Sequence, residues 1–134
     1  MPIKNKMNIL LMSTAQPQAL VALARDNVVV AEKSWTNTPA LGRELLQVID
    51  ALLKEQTMPW SDIDRIGVHG GPGHYSALRH GVVTAAMLAY AHQMELVPVT
   101  GESTSANLLQ QALVATPVAV IKPHYTVAGS VKGS

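Results

Sequence analysis

The feature that most constrains the fold is a change of hydrophobic period near Thr38. Before that residue, three short apolar segments at 8–14, 19–24 and 28–33 are separated by connections of only a few residues. Connections this short predict antiparallel neighbours, because parallel strands need a crossover of a dozen or more residues. The chain is therefore expected to open as a three-stranded antiparallel meander.

After Thr38 the pattern changes to helices that alternate with strands. Large aliphatic residues recur three and four positions apart between Leu41 and Leu53, which predicts an amphipathic helix ending near Gln56. Ser103 is the candidate cap of the last helix. The expected order after the first helix is strand 65–69, helix 77–93, strand 96–100, helix 104–114 and a closing strand at 117–121.

A meander followed by this alternation predicts the α/β class. It is typical of an actin-like ATPase or ribonuclease-H-like lobe, and less so of a doubly wound dinucleotide-binding sheet. A chain of 134 residues can bury one core but is short for two. We therefore predict a single lobe over residues 1–125, followed by a flexible tail over 126–134.

Composition narrows the function classes. The chain has no cysteine, which excludes disulfides, thiolate catalysis and cysteine-based zinc sites. Its net charge of +1 comes from scattered side chains, so direct RNA binding is not expected. The apolar run at 7–12 is too short to span a bilayer and lacks a cleavage pattern. We expect a cytoplasmic protein with no membrane association.

A glycine-rich loop lies between the predicted strand 65–69 and the following helix. Backbone N–H groups in such a loop can cradle an anion, but the spacing fits neither a Walker pattern nor a dinucleotide fingerprint. A sharp strand-to-helix turn explains the glycines equally well. The loop is therefore predicted to be structural or anion-binding, through Gly70, Gly71, Pro72, Gly73, Tyr75 and Arg79.

Two helical patterns indicate contact surfaces. The helix at 77–93 carries small residues every four positions, and this stripe could face either the lobe's own sheet or another helix. The helix at 41–53 has more large aliphatic residues than one sheet face usually needs, so part of it is available to a partner. The candidate partner-binding residues are Leu41, Leu45, Val48, Leu52, Ala77, Gly81, Ala85 and Ala89.

Residues for catalysis are sparse. Of the five histidines only His74 and His80 are close in sequence, and no acidic residue adjoins them, so no metal site is predicted. Ser76 and His80 are one helical turn apart, but no local acid could orient the imidazole. No acidic residue precedes Arg25, although metal-dependent hydrolysis in actin-like folds uses one at the end of the first strand. We predict no catalytic residue and no cofactor.

The segment from Ile63 to Gly81 resembles the TsaB/YeaZ family. The family's hallmark is Gly-Pro-Gly-Ser-Phe-Thr-Gly-Leu-Arg-Ile-Gly. His74, Tyr75 and Ser76 stand for its Ser, Phe and Thr, and Ala77 replaces a glycine. The resemblance extends over roughly residues 7 to 108. The positions that match outright are Gly71, Pro72, Gly73, Leu78, Arg79 and Gly81.

The resemblance implies a function. Members of that family are non-catalytic partners of the TsaD enzyme, which acts with TsaE to make threonylcarbamoyladenosine next to the anticodon of tRNA. Their first two helices pack against the same helices of the partner or of a second copy. By this resemblance the chain is a scaffold that binds a TsaD-like protein, with TsaE as a further candidate partner. It is expected to form a homodimer when alone and to meet tRNA only through the complex.

Three departures qualify the resemblance. The family usually has a second lobe of comparable size, Ser13 replaces an acid at the end of the first strand, and residues 39–41 lack the histidine that often precedes the helix. Two alternatives stay open: a stand-alone homodimeric scaffold, and a nucleotide-binding or glycoprotease-like enzyme.

Overall fold

The computed structural model describes residues 6–73 and 75–123, with the backbone but not the side chain of Tyr75. The tail predicted at 126–134 lies outside these residues. No helix within them is both long and apolar enough to cross a bilayer. The elements, in chain order, are β1 Ile9–Ser13, β2 Gln18–Arg25, β3 Val28–Thr36, α1 Leu41–Glu55, β4 Arg65–His69, α2 Tyr75–His92, β5 Glu95–Val99 and α3 Ser105–Val114.

The five strands form one mixed sheet in the order β3-β2-β1-β4-β5. β1 pairs antiparallel with β2, and β2 pairs antiparallel with β3. β4 is parallel both to β1 and to β5, with Leu10 opposite Ile66 and Val68 opposite Pro98. The predicted meander, the alternation after it and the α/β class are confirmed. The predicted position of the glycine loop at the end of β4 is confirmed with them.

Helices cover both faces of the sheet, which explains the unbroken apolar run in β1. Leu10 and Met12 point into a core shared with α1 and α2, whereas Ile9 and Leu11 point into a second core under α3. All four side chains are fully buried. A strand covered on both faces has no solvent side, so its sequence does not alternate between apolar and polar residues.

A buried arginine connects the start of β4 to the start of β5 and to the end of α3. Arg65, at the start of β4, donates from Nε and Nη2 to Glu95 Oε1 at 3.0 and 2.7 Å. Its Nη1 donates to the carbonyl of Ala112 at 2.7 Å and of Ala115 at 3.3 Å, near the end of α3. A cation at a helix C-terminus is favourable because it meets otherwise unpaired carbonyls. Arg65 is therefore structural.

The closing strand predicted at 117–121 is wrong. This segment runs beside β5 but makes one backbone hydrogen bond to it, from Val118 N to Leu96 O at 2.8 Å. The Leu96 carbonyl points away from β4, to the outer side of β5. Residues two apart in a strand direct their backbone polar groups to the same side, so the backbone nitrogen of Pro98 also faces outward. Proline has no N–H, so the donor that a sixth strand would need is missing.

The cap of α3 differs by one residue from the prediction. Thr104 is the N-cap, and its hydroxyl accepts from Asn107 N at 3.2 Å. Ser103 instead shares a hydrogen bond of 2.7 Å with Ser13 across the end of the sheet. Neighbouring Ser and Thr have equal capping chemistry, so only the tertiary contact to Ser13 distinguishes them.

The two edge strands of the sheet, β3 and β5, differ in their surroundings. β3 is the longest strand and lies at one edge of the sheet, where the side chains of Val28, Glu32 and Lys33 are exposed. β5 lies at the other edge, with segment 117–121 beside it. Neither edge is paired with a further strand among the described residues.

Candidate functional site

The carboxyl ends of the three parallel strands meet at one end of the sheet. We call this region the loop edge and define it as residues 13–15, 69–73 and 101–103. It is where α/β sheets commonly bind ligands, because loops and helix N-termini converge there. The predicted motif loop occupies its centre, between β4 and α2.

A buried histidine organises the loop edge. His69 Nδ1 accepts from Gly71 N at 3.0 Å, and its Nε2 lies 2.7 Å from the carbonyl of Gly101. Because Nδ1 accepts, Nε2 must carry the proton and donate to that carbonyl. The ring therefore connects the motif loop to the connection after β5. Both of its nitrogens are used in doing so.

Glycines allow the loop to pass close to β1. Gly71 has a φ of 104°, a conformation that L side chains rarely adopt, and the bond from Gly71 to Pro72 is cis. A side chain on Gly73 would place its Cβ 2.8 Å from the Ala15 Cα. Gly70 is less restricted, since a Cβ there would only contact Ile121 at 3.5 Å. The sharp-turn interpretation thus explains Gly71 and Gly73 without a ligand.

The polar groups at the end of β1 also point inward. Ser13 is fully buried, and its hydroxyl lies 2.7 Å from Ser103 Oγ. Thr14 is buried against α2, and its Oγ1 has no hydrogen-bond partner. Within residues 6–73 and 75–123, no three His, Cys, Asp or Glu side chains lie close enough together to hold a metal ion.

The small-residue stripe of α2 faces the lobe's own sheet. Ala85 and Ala89 are buried in the core shared with β1 and β4, and Ala77 packs against it. A Cβ on Gly81 would overlap Thr14 Oγ1. The sequence left open whether this stripe faces the sheet or another helix. In the structure it faces the sheet.

The aliphatic residues chosen on α1 are likewise internal. Leu41, Leu45 and Leu52 are buried in the same core, and Val48 is half-buried beside it. Leu41, Leu45 and Leu52 cannot contact a partner without leaving the core, whereas part of Val48 is exposed. Most of the periodic positions pack on the sheet, so the residues between them form the outer surface of the helix.

That outer surface is apolar along its centre. Val83 and Met87 are 53% and 50% exposed, Tyr90 is 89% exposed, and Leu46 of α1 is 43% exposed. The three α2 residues are spaced by four and three, so they share one helix face. We call these four residues the helix-pair surface. Their spacing was visible in the sequence, but the small-residue stripe was the stronger pattern.

Basic residues adjoin the helix-pair surface at the amino ends of both helices. Three shallow grooves meet at the exposed His80: one is shared with Arg43, one with Arg79 and Val83, and one with Asn37, Thr38 and Ser76. The predicted motif residue Arg79 therefore lies outside the loop edge, on the outer face of α2. Pro72 is exposed at the rim of the loop edge, and Tyr75 begins α2.

Comparison with protein families gives one match that covers most of the fold. The family model described as "TsaD: tRNA N6-adenosine threonylcarbamoyltransferase" matches residues 39–122. This range includes α1, β4, α2, β5 and α3, and with them the motif loop and both helices of the helix-pair surface.

Curated relatives match over shorter parts of their length. The tRNA N6-adenosine threonylcarbamoyltransferase of Lactiplantibacillus plantarum is 45% identical over 51 residues, which are 38% of this chain and 15% of that protein. An uncharacterized protein of Mycobacterium tuberculosis is 32% identical over 95 residues, 69% of this chain and 44% of that protein. The chain thus spans less than half the length of these relatives.

Solved structures agree on the fold. YeaZ from Pseudomonas aeruginosa has a TM-score of 0.65 at 23% identity, covering 70% of this chain and 44% of that one. RuvC of Thermus thermophilus, in complex with a Holliday junction substrate, has a TM-score of 0.56 at 10% identity, covering 84% and 99%. The resemblance to the TsaB/YeaZ family and the ribonuclease-H-like lobe are confirmed.

Proposed function

Because the chain belongs to the family described as TsaD, tRNA N6-adenosine threonylcarbamoyltransferase, we propose that it serves the threonylcarbamoylation of tRNA as a non-catalytic scaffold. In this proposal α1 and α2 bind and stabilise a TsaD-like partner. The contact residues are those of the helix-pair surface, which replace the buried residues that the periodicity indicated.

The observation that carries the proposal is the exposure of the helix-pair surface. Val83, Met87 and Tyr90 lie on one face of α2, and each is at least half exposed to water. Burying such a face removes apolar area from water at roughly 25 cal/mol per Å². A tyrosine that is 89% exposed next to Met and Val is typical of a binding hot spot, since its ring is large and rigid.

The loop edge supports the non-catalytic part of the proposal. Two of the buried polar side chains there are engaged within the protein, since His69 bonds to both flanking loops and Ser13 to Ser103. Thr14 Oγ1, buried against α2, has no partner. Catalytic groups need a free atom directed at a substrate. A loop edge whose histidine uses both nitrogens internally is better suited to holding the fold than to chemistry.

The proposal includes the wider assembly. The chain acts in the cytoplasm, reaches tRNA only through its partner, and shares the complex with a TsaE-type protein. It needs no cofactor of its own. These roles belong to the whole threonylcarbamoylation assembly and are part of the proposal, because the chain spans only part of the length of its relatives.

Two measurements test the scaffold role. Titration of this chain against the TsaD-like protein of the same organism should give a complex at micromolar concentration or below. The chain should also raise threonylcarbamoyladenosine formation by that partner while showing none by itself. The absence of any complex would refute the proposal, and activity of the chain alone would refute its non-catalytic part.

The stand-alone homodimer is a second candidate, and the geometry of α2 favours it. If two α2 helices crossed antiparallel with Val83 of one copy opposite Met87 of the other, His80 would lie opposite Tyr90, and the exposed apolar residues of both copies would be buried together. The same surface would then serve both associations, one at a time. Sedimentation of the chain alone, with and without the partner, separates them: a homodimer that the partner cannot dissociate supports this candidate instead.

A nucleotide-binding or glycoprotease-like enzyme is the remaining alternative. Calorimetry with ATP and Mg²⁺ tests it directly. Binding of ATP at micromolar concentration would support the enzyme alternative. We expect no binding, because His69 and Ser13 at the loop edge are already hydrogen-bonded within the protein.

A further inference from the structure

The methionines of the chain differ sharply in their exposure. The structure describes five of the six. Met12 and Met58 are buried, at 0% and 3% exposure, and Met7 and Met94 are half-buried against the two cores. Met87 is 50% exposed. Since the chain has no cysteine, Met87 is the sulfur-containing residue most open to water among residues 6–73 and 75–123.

Met87 also lies at the centre of the apolar face of α2. Val83 precedes it by four residues and Tyr90 follows it by three, so the three side chains lie on one side of the helix. Both neighbours are more exposed than Met87 itself. A protein that covers Val83 and Tyr90 therefore also covers the thioether between them. The free chain, in contrast, leaves this sulfur accessible to small oxidants.

We propose that Met87 is a site of reversible oxidation, through which hydrogen peroxide weakens the binding of the TsaD-like partner. This inference rests on the proposed function and adds a regulation of the same surface. The thioether sulfur attacks one peroxide oxygen, so a sulfur–oxygen bond forms and the O–O bond breaks. Sulfur loses two electrons and becomes a sulfoxide, while the other oxygen takes up the proton and leaves as water.

The cost of the sulfoxide falls on the complex and not on the fold. In the free chain the new oxygen stays in water, because Met87 is half exposed. In a complex through the helix-pair surface the same oxygen is buried among apolar side chains, and burial of an unpaired polar group is unfavourable. A methionine sulfoxide reductase reverses the change: the oxygen leaves as water while a dithiol becomes a disulfide.

Peroxide treatment of the folded chain, followed by peptide mass spectrometry, tests the site. Met87 should be oxidised at least ~10-fold faster than Met12 and Met58, because burial protects a thioether from the oxidant. The urea midpoint of the chain oxidised at Met87 should equal that of the untreated chain. Equal rates of oxidation at Met87 and at the two buried methionines would refute the assignment of the site.

Binding after peroxide removal tests the consequence. The oxidised chain should bind the TsaD-like protein about tenfold more weakly in calorimetric titration, and a methionine sulfoxide reductase with dithiothreitol should restore the affinity. Met87→Leu is the matched control, because it keeps an apolar side chain of similar size without the sulfur. It should bind like the wild type before and after peroxide. Met87→Gln should bind weakly without any peroxide.

The outcomes separate this inference from the proposed function. The absence of a complex with the untreated chain refutes the proposed function and the inference that rests on it. An oxidised chain that binds as tightly as the untreated one refutes the inference alone, and the scaffold role stands. So does a Met87→Leu chain that loses affinity after peroxide, because the sensitive group would then lie elsewhere.

Discussion

The loop edge and the helix-pair surface use their side chains in opposite ways. At the loop edge, the side chains of His69 and Ser13, which could serve chemistry, are buried and hydrogen-bonded within the protein. On the helix-pair surface, apolar side chains that could stabilise a core are left in water. A glycine-rich loop between a strand and a helix therefore does not by itself mark the functional site. Substitutions at the two regions should separate stability from partner binding.

The largest expected effect is on stability, at the loop edge. His69→Ala leaves Gly71 N and the Gly101 carbonyl without partners and opens a cavity at a side chain that is 2% exposed. The free energy of unfolding should fall by about 4 kcal/mol, measured by urea denaturation. His80→Ala is the control, because this histidine is exposed and its loss should change stability by less than about 0.5 kcal/mol. Equal losses would contradict the role given to His69.

Gly81→Ala tests the close approach of α2 to β1. The added methyl group would overlap Thr14 Oγ1, so stability should fall by about 3 kcal/mol in thermal or chemical unfolding. Gly42→Ala is the matched control on α1: its Cβ would meet only the movable His80 ring, at 3.2 Å. That change should be neutral or stabilising by up to ~1 kcal/mol. A loss in Gly42→Ala as large as that in Gly81→Ala would contradict the assignment of the effect to the contact with Thr14.

Val83→Glu tests the other region of the comparison. Val83 is 53% exposed on the helix-pair surface, so the fold should tolerate a carboxylate there. Affinity for the TsaD-like partner should fall at least ~10-fold in calorimetric titration, because the charge would be buried in an apolar contact. Val114→Glu makes the same change at an 80% exposed residue of α3 and should leave binding unchanged. Loss of stability instead of binding would show that the two regions are not separable.

Thr14→Val gives the smallest effect and refines the account of the loop edge. Its buried Oγ1 has no partner, so a methyl group of similar size removes an unsatisfied polar atom. Stability should be unchanged or should rise by up to ~1 kcal/mol. A loss above that size would show that Thr14 makes a hydrogen bond in solution, and the loop edge would then hold a further polar contact.

The sequence predicted the elements well because their signals are local. The meander follows from connections too short for a crossover, and the helices follow from their periodicity; α1 starts at Leu41, as expected. The strand at 117–121 was predicted from its own β-branched residues. This prediction fails because Pro98, in β5, lacks the N–H that a paired strand would need. The pattern of residues 117–121 cannot show this, because the missing donor belongs to another strand.

The candidate site was harder to predict for the same reason. Periodicity shows that Gly81 and Ala85 share a face, but it does not show what that face touches. The answer depends on Thr14, 67 positions before Gly81 in the chain. The exposed residues Val83 and Tyr90 could be identified only after the inner face was known. The motif loop was located correctly from its glycines, whereas the hydrogen bond between His69 and Gly101 is a tertiary contact that no local pattern shows.

The two edges of the sheet determine how the protein can associate. Pro98 removes a donor from the outer side of β5, and β3 exposes the charged pair of neighbours Glu32 and Lys33. Both features oppose the edge-to-edge strand addition through which sheets grow into aggregates. A protein that leaves apolar side chains such as Val83 and Tyr90 in water is at risk of such growth. With strand addition opposed at both edges, association through α1 and α2 would bury a finite helix face instead of extending the sheet.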